Sequence, residues 1–346
     1  MANILFHSIS NIDKAAIFQS ISNKSRMPAF AVEKDWWVVQ ALTCIFELED
    51  STHLVFKGGT SLSKAWGLIE RFSEDVDLAI DRSFLGFKGE LSKNQRTQLR
   101  KKASNYTSGE FKEKLERKFI EKGFKNLTFK LVEATDSDQD PRIIEIYYPN
   151  IIQKPDYLEA RIQIEIGCRS LKEPFTLRPI SSLVDIYYPN VVFALPSIQV
   201  PSVNPERTFL EKLFLLHEEF QRPKEKMRFE RLSRHLYDVV TLAKTDYMER
   251  ALSDQVLYET IVVHRYTFTR VGGVDYNLHQ PKTINPIPRP EVMAEWEKDY
   301  NTMIEQMIYE ESPFSFKEII DSLMEIKARI NNLDWGFAQP FPFSSN

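Results

Sequence analysis

Apolar and polar residues alternate in this chain with a period that changes along its length, from strand-like over roughly its first two hundred residues to helix-like beyond. Residues 29–48 are an early exception, with Val32, Trp36, Val39, Leu42 and Phe46 at helical spacing, which predicts a core-packing helix. The short runs 53–56 and 76–80 read as strands bracketing a helix over 60–71. Further strands are predicted over 127–133, 142–148, 159–167 and 183–193, the last interrupted by Pro189-Asn190. Ile-Tyr-Tyr-Pro-Asn occurs twice, at 146–150 and 186–190, which fits two strands that end in Pro-Asn turns better than a repeat array. Pro196, Pro201 and Pro205 mark the change of pattern, and Asn204-Pro205 is a helix start. That helix carries Phe209, Leu210, Leu213 and Phe214, and the next carries Leu232, Leu236 and Val239. Residues 261–269 alternate briefly, a proline-rich stretch covers 281–290, and helices are predicted over 291–310 and 316–331. The reading is an α+β chain, with strands and flanking helices over 1–200 and a mainly helical domain over 201–346.

Composition narrows this little. A chain of 346 residues suits two domains, and its net charge of −4 says less than where the charge sits. Residues 88–130 hold thirteen basic residues against five acidic ones, a local excess that suggests phosphate contact, although i,i+4 pairs such as Glu110 with Lys114 account for part of it. Cys44 and Cys168 lack ligand spacing, so neither a disulfide framework nor a zinc site is expected. No stretch approaches the ~20 apolar residues that span a bilayer. Reduced thiols and a cytoplasmic location are therefore expected.

The candidate chemistry lies between the first two strands. Gly58-Gly59-Thr60-Ser61 reads as a tight turn opening a helix with free amides, an anion site. Asp75 and Asp77 alternate with Val76 and Leu78, so both carboxylates share one strand face and repel unless a cation lies between them. Together these suit metal-assisted chemistry on a nucleoside triphosphate. The P-loop pattern is excluded because Ser63, not glycine, precedes Lys64, and G-x-G-x-x-G is absent. A third carboxylate is sought on a neighbouring strand. Glu165 is the candidate, since Ile162, Ile164 and Ile166 take the core face and leave it on the polar one, with Glu159 second and a cross-strand ion pair as the alternative role.

The runs Phe56-Lys57-Gly58-Gly59-Thr60-Ser61-Leu62 and Arg71-Phe72-Ser73-Glu74-Asp75-Val76-Asp77-Leu78 closely resemble the signature of the AbiEii/AbiGii abortive-infection toxins, of the DNA polymerase β-like nucleotidyltransferase superfamily. Val32-Glu33-Lys34-Asp35-Trp36-Trp37 resembles that family's opening helix, and residues 206–213 and 234–238 its second-half motifs. The resemblance implies the superfamily's mixed sheet and a helical domain that contributes to the active site. It implies an enzyme that transfers NMP from an NTP with Mg2+ or Mn2+, held by Asp75, Asp77 and a third carboxylate for which Glu165 is the candidate. Gly58, Gly59, Thr60, Ser61 and Lys212 would meet the nucleotide, with Lys212 reaching the triphosphate. Asp238 would either position Lys212 or take a proton from the acceptor; Arg71 and Lys64 are secondary phosphate contacts. It further implies a toxin acting in bacterial antiviral defence, with a cognate antitoxin protein as partner. The basic segment favours an RNA acceptor, with the tRNA 3′ end the first choice. The alternatives are a carboxylate-metal phosphohydrolase or nuclease, which needs no triphosphate turn, and an inactive protein that binds nucleic acid or a partner.

Overall fold

The strands on either side of the Gly-Gly turn become the centre of a seven-stranded mixed sheet. The structure, a computed structural model, describes residues 5–73, 75–136, 139–153, 159–169 and 174–342; Glu74 lies outside the described residues. The strands are β1 (Leu54–Lys57), β2 (Asp75–Ile80), β3 (Thr128–Leu131), β4 (Arg142–Tyr147), β5 (Arg161–Gly167), β6 (Phe175–Ile180) and β7 (Ile198–Val203). Their order is β3-β4-β5-β2-β1-β7-β6, with β2 parallel to β5, β1 parallel to β7, and the other pairs antiparallel. Helices α1 (Asn11–Ser25), α2 (Ala29–Phe46), α3 (Gly58–Lys64), α4 (Lys93–Tyr106), α5 (Lys112–Glu121) and α6 (Leu183–Tyr187) accompany the sheet. The chain divides into two compact units: Met1–Trp66 with Phe72–Val203, and Gly67–Arg71 with Asn204–Asn346.

One face of the sheet is apolar. Phe56, Val76, Leu78, Ile144, Ile146, Ile162, Ile164 and Ile166 are all buried there, and α2 packs against β2, β5 and β7. Fully burying each such side chain contributes roughly 1.5–3 kcal/mol. Helix α2 is buried around most of its circumference, not along one stripe, because its charged residues have partners inside the fold. Glu33 accepts the amides of Ile151 and Ile152 at 2.9 and 3.0 Å; Asp35 pairs with Lys64 at 2.5 Å and accepts the Leu183 amide at 2.8 Å.

Several sequence expectations are corrected. Residues 183–193 contain α6 and turns instead of a strand: Ser182 caps the helix by accepting the Asp185 amide at 3.1 Å, and this local bond outweighs the β-branched content. The helix predicted over 60–71 begins at Gly58 and stops at Lys64, with Gly67 in the left-handed region at φ +62°. Residues 261–269 belong mostly to a helix capped by the Asp254 carboxylate, which accepts the Leu257 amide at 2.8 Å. Helix α1 and strands β6 and β7 have no counterpart in the sequence reading; each of the last two strands carries a proline, with Pro179 facing Gln199 and Pro201 facing Leu177.

The second unit contains α7 (Pro205–Gln221), α8 (Arg234–Ala243), α9 (Asp246–Ser253), α10 (Gln255–Phe268), α11 (Met293–Met307) and α12 (Phe316–Asn331). Helix α7 packs on α8, α9 and α10 and buries a polar network. Glu218 accepts both arms of Arg265, at 2.7 and 2.5 Å, and lies 3.3 Å from His279 Nε2; His217 Nδ1 accepts the Asn285 amide at 3.0 Å. Burial alone would raise the Glu218 carboxyl, but Arg265 outweighs it and holds it down at about 2. Burial, with His279 nearby, lowers His217 to about 3. Both groups therefore protonate more readily in the unfolded chain. The stability His217 provides is complete above pH ~6.5 and declines as pH falls toward 3, and that of Glu218 declines below ~4.5. The urea midpoint for unfolding of this unit should drop between pH 7 and pH 5, and His217→Gln should flatten that drop.

Candidate active site

The polar face of the sheet gathers the carboxylates. Asp77 is the register partner of Lys57 in β1 and of Glu165 in β5, and Glu165 in turn faces Ile143 in β4. One row across four strands therefore holds Lys57, Asp77 and Glu165 on the side opposite the apolar core. Asp75, two residues earlier, stands beside Gln163 in the next row. Gln163 leads to Glu145, a buried carboxylate that accepts the Tyr147 hydroxyl at 2.8 Å and pairs with Arg161. Glu159 precedes β5 and is exposed, so it does not share this face.

The turn meets this row through Gly58. Its φ of +77° lies in the left-handed region, and a Cβ built on it would overlap Asp77 Oδ2 and lie 2.9 Å from Asp77 Cγ. Glycine is thus required for backbone conformation and for space together. Thr60 is buried, and its hydroxyl donates to the Asp75 carbonyl at 2.6 Å and lies 2.9 Å from Ser73 Oγ, fastening the turn helix to the start of β2. Ser61 is also buried, but its Oγ has no hydrogen-bond partner among the described residues. Lys64 is tied to Asp35. Gly58→Ala should reduce activity by at least about a hundredfold by displacing the Asp77 carboxylate, while costing about 1 kcal/mol or somewhat more in stability. Steady-state transfer rates set against the urea midpoint check this.

The hard oxygen donors of Asp75, Asp77 and Glu165 on two adjacent strands are of the type that suits a small divalent cation, and Ser61 Oγ in the turn helix keeps unused polar capacity. Among the described residues, no three His, Cys, Asp or Glu side chains form a ready-made metal cage. Mg2+ is commonly held by one or two carboxylates, with substrate phosphates and water supplying its other ligands, and this donor set is of that kind.

A separate charged cluster lies within the helical unit. Arg71 forks onto Asp238, Nε to Oδ1 at 2.7 Å and Nη2 to Oδ2 at 2.8 Å, and Lys212 Nζ meets Asp238 Oδ2 at 2.8 Å. His235 Nδ1 lies 3.4 Å from Lys212 Nζ. Arg71 is 2% exposed and Asp238 0%. Burial opposes the Asp238 charge, yet Arg71 and Lys212 outweigh it and hold the carboxyl well below its usual range. Burial, with Lys212 and Arg234 adding to it, keeps His235 neutral. A carboxylate with both oxygens paired is a poor proton acceptor, so of the two roles expected for Asp238, positioning Lys212 is the one this geometry suits. Arg71 does more than a secondary phosphate contact would. Its strand bridge to Ile308, and the Tyr309 amide donating to the Glu70 carbonyl at 3.1 Å, bind the 67–71 segment into the helical unit.

The family described as nucleotidyl transferase AbiEii toxin, type IV toxin–antitoxin system, matches residues 40–325. Solved structures similar to this chain include JHP933 from Helicobacter pylori, 15% identical over 87% of this chain and 91% of that one with a TM-score of 0.43. MenT4, a nucleotidyltransferase toxin from Mycobacterium tuberculosis, is 15% identical over 93% of this chain and 99% of its own, with a TM-score of 0.44. No curated protein matches the chain.

Proposed function

Because the chain belongs to the AbiEii nucleotidyltransferase toxin family, we propose that it transfers a nucleoside monophosphate from an NTP to a hydroxyl of RNA, with the tRNA 3′ end the first acceptor to test. The observation that carries this reading is the Lys57, Asp77, Glu165 row, with Gly58 set against the Asp77 carboxylate. In the reaction an acceptor oxygen bonds to the α-phosphorus, the α–β bridging P–O bond breaks, pyrophosphate leaves and the hydroxyl proton goes to solvent. Asp75, Asp77 and Glu165 would hold a divalent cation, which would supply charge neutralisation at the triphosphate when bound. The Gly58–Lys64 turn and helix would orient the phosphates, Ser61 offering its hydroxyl. Lys212, kept in place by Asp238, is assigned to the triphosphate on family grounds. An antitoxin protein is the partner expected of a type IV toxin. Among the described residues no helix is long and apolar enough to cross a membrane.

The acceptor reading rests on the basic segment, and its charges divide in two. On α5 and its C-terminal cap, Lys112 pairs with Glu116, Lys114 with Asp50 and Glu110, and Lys122 with Glu47, while Lys118 lies 3.5 Å from Glu121. Those lysines are largely neutralised. On α4, Lys93, Lys101 and Lys102 are exposed and form no ion pair with described residues. Within the basic segment, RNA contact is therefore assigned to α4. Lys101→Glu with Lys102→Glu should weaken RNA binding across sequences and lower the salt slope by roughly 0.7–0.9 per lost phosphate contact, whereas Lys114→Gln with Lys118→Gln should leave the slope unchanged.

The deciding experiment incubates the protein with Mg2+, each α-labelled NTP and total cellular RNA. Label in RNA supports the proposal. Label in protein moves the acceptor to a polypeptide, and RNA cleavage without NTP favours the nuclease alternative.

A further inference from the structure

A cavity of about 460 Å3 opens on the side of the sheet opposite the carboxylates. Its floor is α2: Trp37 stacks at 4.9 Å on Tyr148, which follows Ile144 and Ile146 on the apolar face of β4, and Trp36 meets Trp37 at 4.8 Å. Phe6 and Phe124 complete an aromatic wall, at 5.1 and 6.0 Å from Trp36. The volume is within the range of small-molecule sites, and the lining is mixed as such sites usually are.

The walls are held in place by specific contacts. The Glu33 carboxylate fixes the Ile151 rim through two amides. Gly123 and Asn126, both at positive φ, shape the loop carrying Phe124 and Lys125. Ser10 caps α1 by accepting the Asp13 amide at 3.1 Å, which sets Asn11 and Lys14 at the opening.

Lys14 and Lys125 contribute cations to the lining, which includes no carboxylate; the nearest, Glu33, is held by the Ile151 and Ile152 amides behind the rim and acts electrostatically on Lys14. Lys14 Nζ donates to the His7 carbonyl at 2.8 Å, which leaves it two further protons. Lys125 and the side-chain amides of Asn11 and Asn126 have no hydrogen bond or ion pair with described residues. An aromatic wall, two cations at the opening and amides suited to reading a ring edge select a flat ring that bears an anionic group. We propose that this cavity is a second ligand site, separate from the carboxylate face, which binds a planar aromatic anion of about nucleoside-monophosphate size. The proposal stands independently of the transferase reading.

AMP is the probe, titrated calorimetrically into the full chain. Saturable binding is expected below about 1 mM, with adenosine, which lacks the anion, and ribose 5-phosphate, which lacks the ring, each at least about tenfold weaker. Lys14→Ala with Lys125→Ala should weaken AMP at least about tenfold, and Asp77→Ala should leave it unchanged. Lys125→Glu alone, at an exposed position that the fold does not depend on, should act in the same direction. Absence of saturable binding by the wild type would overturn the proposal. So would binding that is lost in Asp77→Ala but kept in the lysine variants, since AMP would then occupy the carboxylate face. Ribose 5-phosphate binding as tightly as AMP would overturn the aromatic part.

Discussion

Asp77→Ala is expected to lower the transfer rate by at least roughly a thousandfold, with Asp75→Ala close behind. Charge neutralisation at a triphosphate is worth several kcal/mol of transition-state stabilisation, and each 1.36 kcal/mol is a factor of ten in rate. The fold should tolerate both changes, because these side chains lie on the polar face and the apolar packing of Val76 and Leu78 is untouched. A urea midpoint within about 1 kcal/mol of wild type, beside incorporation of labelled NTP near background, is the expected pair of results. Glu165→Gln should have the smaller effect if Glu165 contributes one ligand beside the two aspartates. Full activity in either aspartate variant would remove the transferase assignment from this face.

The second large effect is on stability. Asp238→Ala would leave Arg71 and Lys212 buried without the carboxylate they share, and breaking a buried pair in this way typically costs about 3–5 kcal/mol. Asp238→Asn keeps the shape and removes the charge, so it should be destabilised but fold. The stability given by Asp238 is present above its unfolded pKa and is lost as pH falls below it, because the folded group is held low. Lys212→Met separates the two roles of that lysine. A shift in urea midpoint with an unchanged KM for NTP would make it a partner of Asp238 alone, whereas a raised KM would support its contact with the triphosphate. An Asp238→Ala protein as stable as wild type would mean that the cluster is not a buried ionic network.

Part of this arrangement was readable directly in the chain. The alternation Asp75, Val76, Asp77, Leu78 assigns its own faces, because a strand has a period of two and water excludes only one side. The same argument placed Glu165 opposite Ile164 and Ile166 before any partner strand was known. The Gly-Gly pair signalled a special backbone conformation. It could not show that the missing Cβ of Gly58 would have collided with Asp77, a contact between residues nineteen positions apart.

Other features had no local signal. The ion pair of Lys212 with Asp238 has no local signal, since sequence spacing measures distance only along one helix. Arg71, which shares the Asp238 carboxylate with Lys212, is well over a hundred residues from both in sequence. Thr60 was expected to face phosphate, yet its hydroxyl is taken by the Asp75 carbonyl. Glu33 and Asp35 of α2 are buried, because Ile151, Ile152, Leu183 and Lys64, all distant in sequence, supply their bonds.

The sequence by itself determined which strand faces are apolar and which residues carry hard oxygen donors, since these depend on residue type and on period. Only the tertiary structure decided that Asp77 and Glu165 are adjacent, that the 67–71 segment folds with the helical unit, and that the α5 lysines are neutralised while those on α4 are not. The physical reason is that a buried charge or a strand register takes its energy from whatever group the fold brings beside it, and the identity of that group is not encoded next to it in the chain.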